Sequence, residues 1–212
     1  MPSARGEPVE DHIGDDRPVL PAGRAGPEGR PVSEAEAQTL LTYSAILIPG
    51  LLQTEDYARA VIRGMLPELS SEEVERRVIA RMDRQAALSK ENPLRLWLVV
   101  DEAALRRQIG GPQVMRTQIK HLLESSERPE ITLQVLPFEA GPHPAMLGEF
   151  IILKFEDPPA PDIVYIDGLA GDLFADDDSS IKRYATAFEY LRAIASSPSA
   201  SREVLSSLIR NI

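Results

Sequence analysis

The residues best equipped for chemistry lie in FEAGPHPAMLGEF (138–150), where His143 stands between two prolines with Glu139 and Glu149 close in sequence. A histidine held near carboxylates can act as a general base, because it titrates near neutrality. The same residues serve equally as a binding contact or a plain turn, and the sequence names no partner for the imidazole. His12 and His121 have no companion at ligand spacing, and the chain has no cysteine. Thiolate zinc sites, iron–sulfur clusters, disulfides and cysteine nucleophiles are thereby excluded. Asp176, Asp177 and Asp178 run together without the spacing or the glycine of a calcium loop. Acids just ahead of a helix read more simply as a cap and a dipole complement. Gly110-Gly111 precedes a helix, as phosphate loops do, but no Lys-Ser/Thr pair follows. A chain reversal before an ordinary helix start is the simpler reading. No G-x-S-x-G elbow is present, so a serine hydrolase has no support. No metal and no cofactor are expected.

Elements that could position such groups follow from periodicity. Thr54 is a suitable N-cap for a helix from Glu55 to about Met65, with Tyr57, Ala58, Val61, Ile62 and Met65 at helical spacing. Ser70 and Glu73 form a capping-box pair ahead of a second helix. Its expected buried stripe is Val74, Val78, Ile79, Met82 and Ala86, with Arg77, Arg81 and Arg84 on a neighbouring face, solvated or paired with acids. PLRLWLVV (93–100) and EITLQVLPF (130–138) read as strands, separated by a short helical turn and a helix opened by Pro112. Val114, Met115, Ile119, Leu122 and Leu123 of that helix are expected to face inward. Strand, helix, strand in this span is a crossover, so the two strands should be parallel neighbours. GEFIILKF (148–155) and DIVYID (162–167) read as an antiparallel extension, to which DLFAD adds a short last strand. Two helices close the chain, one carrying Ile181, Tyr184, Ala185, Phe188, Leu191 and Ala195, the other Val204, Leu205, Leu208, Ile209 and Ile212, with the break at Pro198. The stretch EAEAQTLLTYSAILIPGLLQ is apolar and stops at Pro49-Gly50, but its period does not decide between helix and strand. The fold class expected is α/β (α+β), a small mixed sheet with one parallel crossover and an antiparallel extension, packed by helices.

The net charge is −10, from 33 acidic against 23 basic residues, which gives no support to binding nucleic-acid phosphates. Residues 1–35 are dense in proline, glycine and charge and read as a disordered tail, leaving 36–212 as a single domain. No apolar run could span a bilayer and no signal-peptide core is present, so a cytoplasmic protein is expected.

A pocket between sheet and helices would draw on Trp97, Glu102, Arg106, His143, Phe150, Tyr165 and Asp167. Glu102 follows a strand end, where open sheets commonly bind ligands. Pro49, Leu51, Leu52, Gln53 and Tyr57 form an apolar anchor around the Pro-Gly turn, a candidate for docking a linker or a partner, and an exposed apolar patch is to be looked for around Leu51, Leu52 and Tyr57 or on the last helix.

IPGLLQTEDYARAV (48–61) resembles the signature that opens the C-terminal domain of actinobacterial XRE-type helix-turn-helix regulators, antitoxin-like transcriptional regulators in which that domain has no known function. The similarity continues through RMDRQAAL (81–88), VVDEAALRRQIGGPQVMRTQI (99–119), ITLQVLPFEAGPHPAMLGEFIILKF (131–155) and IVYIDGLAGDLF (163–174), and covers about residues 36–212. The resemblance implies a standalone effector or sensor domain, since the first 35 residues are too short for the DNA-binding module. It also implies a small regulatory partner protein. A small-molecule ligand and a homodimer are the alternatives, and neither DNA nor membrane contact is expected. A rival reading is a small-molecule binder, or an enzyme recruited from this scaffold in a biosynthetic cluster.

Overall fold

The computed structural model describes residues 37–155, 162–168 and 173–212. The expected tail, residues 1–35, lies outside the described residues.

The apolar stretch of undecided period forms β1 (Thr39–Ser44), and it is a central strand. β2 (Arg95–Asp101) lies parallel to it on one side, with Leu41 opposite Trp97 and Tyr43 opposite Val99. β4 (Phe150–Lys154) lies antiparallel on the other, with Tyr43 opposite Phe150. β3 (Ile131–Leu136) extends the parallel half, while β5 (Ile163–Ile166) and β6 (Leu173–Ala175) extend the antiparallel half. The sheet order is β3-β2-β1-β4-β5-β6. The expected crossover from β2 to β3 is present, and a second, from β1 to β2, precedes it. A strand buried on both faces shows no polar alternation, which is why TLLTYS carried no readable period.

Helices cover both faces. α1 (Glu55–Met65), α3 (Glu102–Arg106), α4 (Pro112–Ser125) and α6 (Pro198–Asn211) share one core with the sheet, in which Leu40, Leu98, Val100 and Leu133 meet Tyr57, Leu105, Met115, Ile119 and Leu205. α5 (Asp178–Ile194) covers the opposite face, where Leu41, Tyr43, Val99, Phe150, Ile152 and Val164 meet Phe188 and Leu191. α2 (Ser71–Arg84) packs on α1 through Val74, Val78 and Ile62.

Local chemistry sets the helix boundaries. The Ser70 hydroxyl accepts the Glu73 amide, as half of the expected capping box, while the Glu73 carboxylate turns to Arg76 and Arg77. Asp177 accepts the Ser180 amide at 3.0 Å, so the acidic run before α5 is a cap. Its own serine bonds hold that carboxyl well below the usual range, led by Ser179. Gly110 and Gly111 have φ of 69° and 88°, which makes them a chain reversal before Pro112 at the first turn of α4. Two expectations for α2 are corrected. Ile79 is 61% exposed and Ala86 is also exposed, because α2 meets the body along a narrow stripe through Val74 and Val78. The outer edge of β3 is covered at Val135, whose amide is bonded to Ser201 Oγ and whose carbonyl is bonded to the Ser196 amide. That junction between α5 and α6 blunts an otherwise open edge.

No helix among the described residues is long and apolar enough to cross a membrane.

Candidate functional site at the carboxyl edge of the sheet

β1 and β2 run side by side and end together, which brings Tyr43 and Asp101 to one edge and one face of the sheet. The loop after β3 returns across that edge and delivers His143. The Tyr43 hydroxyl lies 3.4 Å from Asp101 Oδ2 and 3.4 Å from His143 Nε2. The Tyr43 and His143 rings meet edge to face, 5.5 Å between centroids. Burial, then the charge of Asp101 and its bond, hold the phenol far above its usual range, so Tyr43 stays protonated. A carboxylate only accepts, so the single phenolic proton goes to Asp101 and Nε2 of His143 is the donor to Tyr43. The other ring nitrogen, Nδ1, is buried and has no hydrogen-bond partner among the described residues. Among the described residues no hydrogen bond joins His143 to Glu139 or to Glu149, the acids nearest in sequence.

Glu149 has a different task. Its Oε1 accepts the Ile46 amide at 2.8 Å, which ties the loop after β3 to the exit of β1. Burial pushes its carboxyl above the usual range, against the pull of the Ile46, Ala45 and Leu47 amides, and Asp167 adds to the upward push.

Beside this cluster lies a cleft of about 670 Å³ between residues 144–149 and the flank of α5, floored by Phe150, Ile166 and Tyr184. The Phe150 ring stands 6.1 Å from Tyr43 and 4.9 Å from Tyr184, and so separates the polar cluster from the cleft. Leu147 and Tyr190 form its lips, and Lys182 and Arg183 line the helical wall.

The seven pocket candidates do not converge. Phe150 is in the cleft floor and His143 is in the polar cluster. Trp97 faces the same side of the sheet but four residues before Asp101, about 13 Å along the strand. There its indole donates to Gln134 at 2.9 Å and carries the Arg192 guanidinium 3.9 Å above the ring. Glu102 accepts the Phe138 amide at 3.1 Å and Arg106 Nε at 2.5 Å, which braces two loops and leaves neither side chain in the cleft. Tyr165 points to the opposite face, against Phe174 at 5.1 Å, because side chains alternate along β5 and its neighbour Ile166 takes the cleft side. Asp167 is exposed and its charge is felt by Arg81.

The Pro-Gly turn is occupied from within. Leu51, Leu52, Gln53 and Tyr57 are all buried, so the expected exposed patch around them is not there; only Pro49 is partly accessible. The 3-10 turn Gly50–Leu52 would leave backbone groups unpaired, and side chains from three helices satisfy them. Gln53 Nε2 donates to the Ile48 carbonyl at 2.7 Å, and Arg81 donates to Gln53 Oε1 at 2.7 Å. Gln85 bonds the Gly50 and Gln53 carbonyls. Gln118 accepts the Thr54 amide at 2.7 Å and donates to the Leu52 carbonyl at 2.7 Å. Tyr57 accepts the Ile48 amide, and burial pushes its phenol up to about 12. Thr54 caps α1 by position alone, since its hydroxyl turns to Gln118 instead. Burial holds Arg81 down at about 10, so it is still charged at neutral pH, and its guanidinium is turned to Gln53 in the turn.

Sequence reasoning missed Tyr43 and Asp101. An alternation signal in TLLTYS would have placed Tyr43 at a strand end, but both faces of that strand are buried. Among the described residues no cluster of three or more metal-ligating side chains exists.

Comparison with known families matches residues 32–207 to DUF5753, a domain of unknown function. No curated protein and no solved structure matches the chain. The matched span includes the whole sheet, the turn with its side-chain staples and the Tyr43–Asp101–His143 cluster, and on that extent the chain belongs to the DUF5753 family.

Proposed function

We propose that this chain is an effector domain of the type that XRE-like helix-turn-helix transcriptional regulators carry, and that it works by binding a small regulatory partner protein rather than by contacting DNA. The observation that carries the reading is where its exposed apolar side chains fall. Ile46, Phe138, Met146, Leu147 and Tyr190 are each about half exposed or more, and Leu147 is fully exposed. These five belong to the carboxyl-edge loops or to the helix beside them, while Met65, Ile79 and Leu173, the other exposed large apolar side chains among the described residues, lie apart from one another elsewhere. Apolar groups gathered in this way mark an interaction surface more often than a solvated one. The charge of −10 disfavours phosphate contact, in keeping with a protein partner. Affinity capture of the tagged protein from its own cell extract, read by native mass spectrometry, tests the proposal. A stoichiometric small protein is expected. Repeated recovery of the chain free of any protein would sink it.

A second reading has its own observation. His143 Nδ1 is buried without a hydrogen-bond partner among the described residues, and a small ligand bearing a complementary polar group would supply one. On that reading the captured material is a small molecule, and His143→Ala loses it while the thermal midpoint stays within a few degrees.

A further inference from the structure

We infer that the cleft between residues 144–149 and α5 is a docking groove for an acidic amphipathic helix of a separate protein. The inference rests on the partner-binding reading above, and adds where the partner sits and what chemistry it presents.

Three observations select this occupant. The first is shape. The cleft is not enclosed and Leu147 on its rim is fully exposed, whereas small-molecule sites enclose most of their ligand. Its helical wall runs from Ser179 to Tyr190, about 17 Å or three turns of α5, the length over which one helix packs along another. The second is backbone pairing. A strand-like peptide needs a free sheet edge to extend, but β4 at the groove floor is hydrogen-bonded to β1 on one side and to β5 on the other. Side-chain insertion is what remains, with Leu147, Ile166 and Tyr190 as the apolar contacts.

The third is charge. Lys182 and Arg183 stand side by side on the groove wall, both exposed, and neither has an ion-pair partner among the described residues. Together they give the groove wall a local positive charge in a chain that carries ten more acids than bases. Glu149 is the carboxylate among the lining residues, and it is turned to the Ile46 amide. A partner helix whose apolar stripe is flanked by Asp or Glu would fill the floor and meet both cations.

The test uses two fluorescein-labelled synthetic helices of about 18 residues, long enough to cover the groove. They share one leucine stripe at helical spacing, flanked by Glu in one peptide and by Lys in the other. Fluorescence anisotropy against the full chain should show the Glu peptide binding about tenfold more tightly at low salt, with added salt narrowing the difference. Leu147→Asp should weaken the Glu peptide by about tenfold, and the Lys182→Glu/Arg183→Glu pair should reverse the preference. All three residues are exposed, so an unchanged urea midpoint will show that the variants fold. Equal affinity for the two peptides, no binding by either, or binding indifferent to Leu147→Asp would overturn the inference. Self-association of the chain that Leu147→Asp abolishes would overturn it too, by giving the groove to a second copy. Repeating the extract capture with Leu147→Asp separates the two claims. A partner retained by that variant keeps the partner-binding reading and removes the groove from it.

Discussion

Exchanging Gln118 for methionine tests whether the Pro-Gly turn is held by side-chain hydrogen bonds or merely by its leucines. Gln118 is fully buried on α4, and its amide bridges the Thr54 N–H and the Leu52 carbonyl, each at 2.7 Å. Methionine fills nearly the same volume and so opens no large cavity. Two backbone groups are left without a partner, at about 1–3 kcal/mol each. Burying a more apolar side chain returns roughly 1 kcal/mol. The net loss should be about 3 kcal/mol, a substantial part of the roughly 5–15 kcal/mol by which domains are stable. For a chain of this size that lowers the thermal midpoint by about 6–12 °C. Urea unfolding followed through Trp97 fluorescence measures the loss, with Gln113→Met on the exposed side of the same helix as a control expected within about 0.5 kcal/mol. A loss in Gln118→Met no larger than in the control would refute the reasoning, because it would mean that water already reaches the turn.

Three further outcomes follow from the structure. Gly110→Ala should cost more stability than Gly111→Ala: both positions have positive φ, but a methyl group on Gly110 would stand 2.9 Å from the Val114 side chain while one on Gly111 meets nothing. Paired denaturation curves should put the first at roughly 2 kcal/mol and the second nearer 1 kcal/mol. Burial raises the carboxyl of Glu149, so the folded chain holds that proton more tightly than the unfolded chain does. The protonated form therefore stabilises below the unfolded value, near pH 4, and that contribution disappears as pH rises through the folded value. Glu149→Gln should gain stability relative to wild type as pH rises from about 4 to 7, and urea midpoints across that range that stay parallel would contradict it. Arg192→Met should remove the cation from the Trp97 face, costing roughly 1 kcal/mol and shifting the indole emission, since the guanidinium lies 3.9 Å from the ring centroid.

What could be read from the sequence was local. The caps at Ser70 and Asp177, the Gly-Gly reversal before Pro112, the β2–α4–β3 crossover and the antiparallel β4–β5–β6 extension each rest on residues near one another in the chain. Their signals, a capping side chain or a regular apolar period, do not depend on what packs later. The same reasoning placed Ile79 inside, where it is not, because periodicity gives a helix an apolar face without saying how wide the contact will be.

The tertiary structure decided the rest. β1 became the sheet's centre only by finding β2 on one side and β4 on the other, and a strand buried on both faces carries no alternation to announce it. Tyr43 meets a histidine 100 residues away and an aspartate 58 residues away, pairings that no spacing rule encodes. Gln85 and Gln118 read as ordinary polar residues and Gln53 as part of a docking anchor, yet folding turns each toward the backbone of one short turn. Tyr165 and Phe150, both plausible in a pocket, fell on opposite faces through the pairing of β4 with β5. The sequence by itself determined which segments would be helix, strand or turn wherever the signal lay within a few residues; which side chains would share a site was settled by strand order and register, set by burial of the whole core.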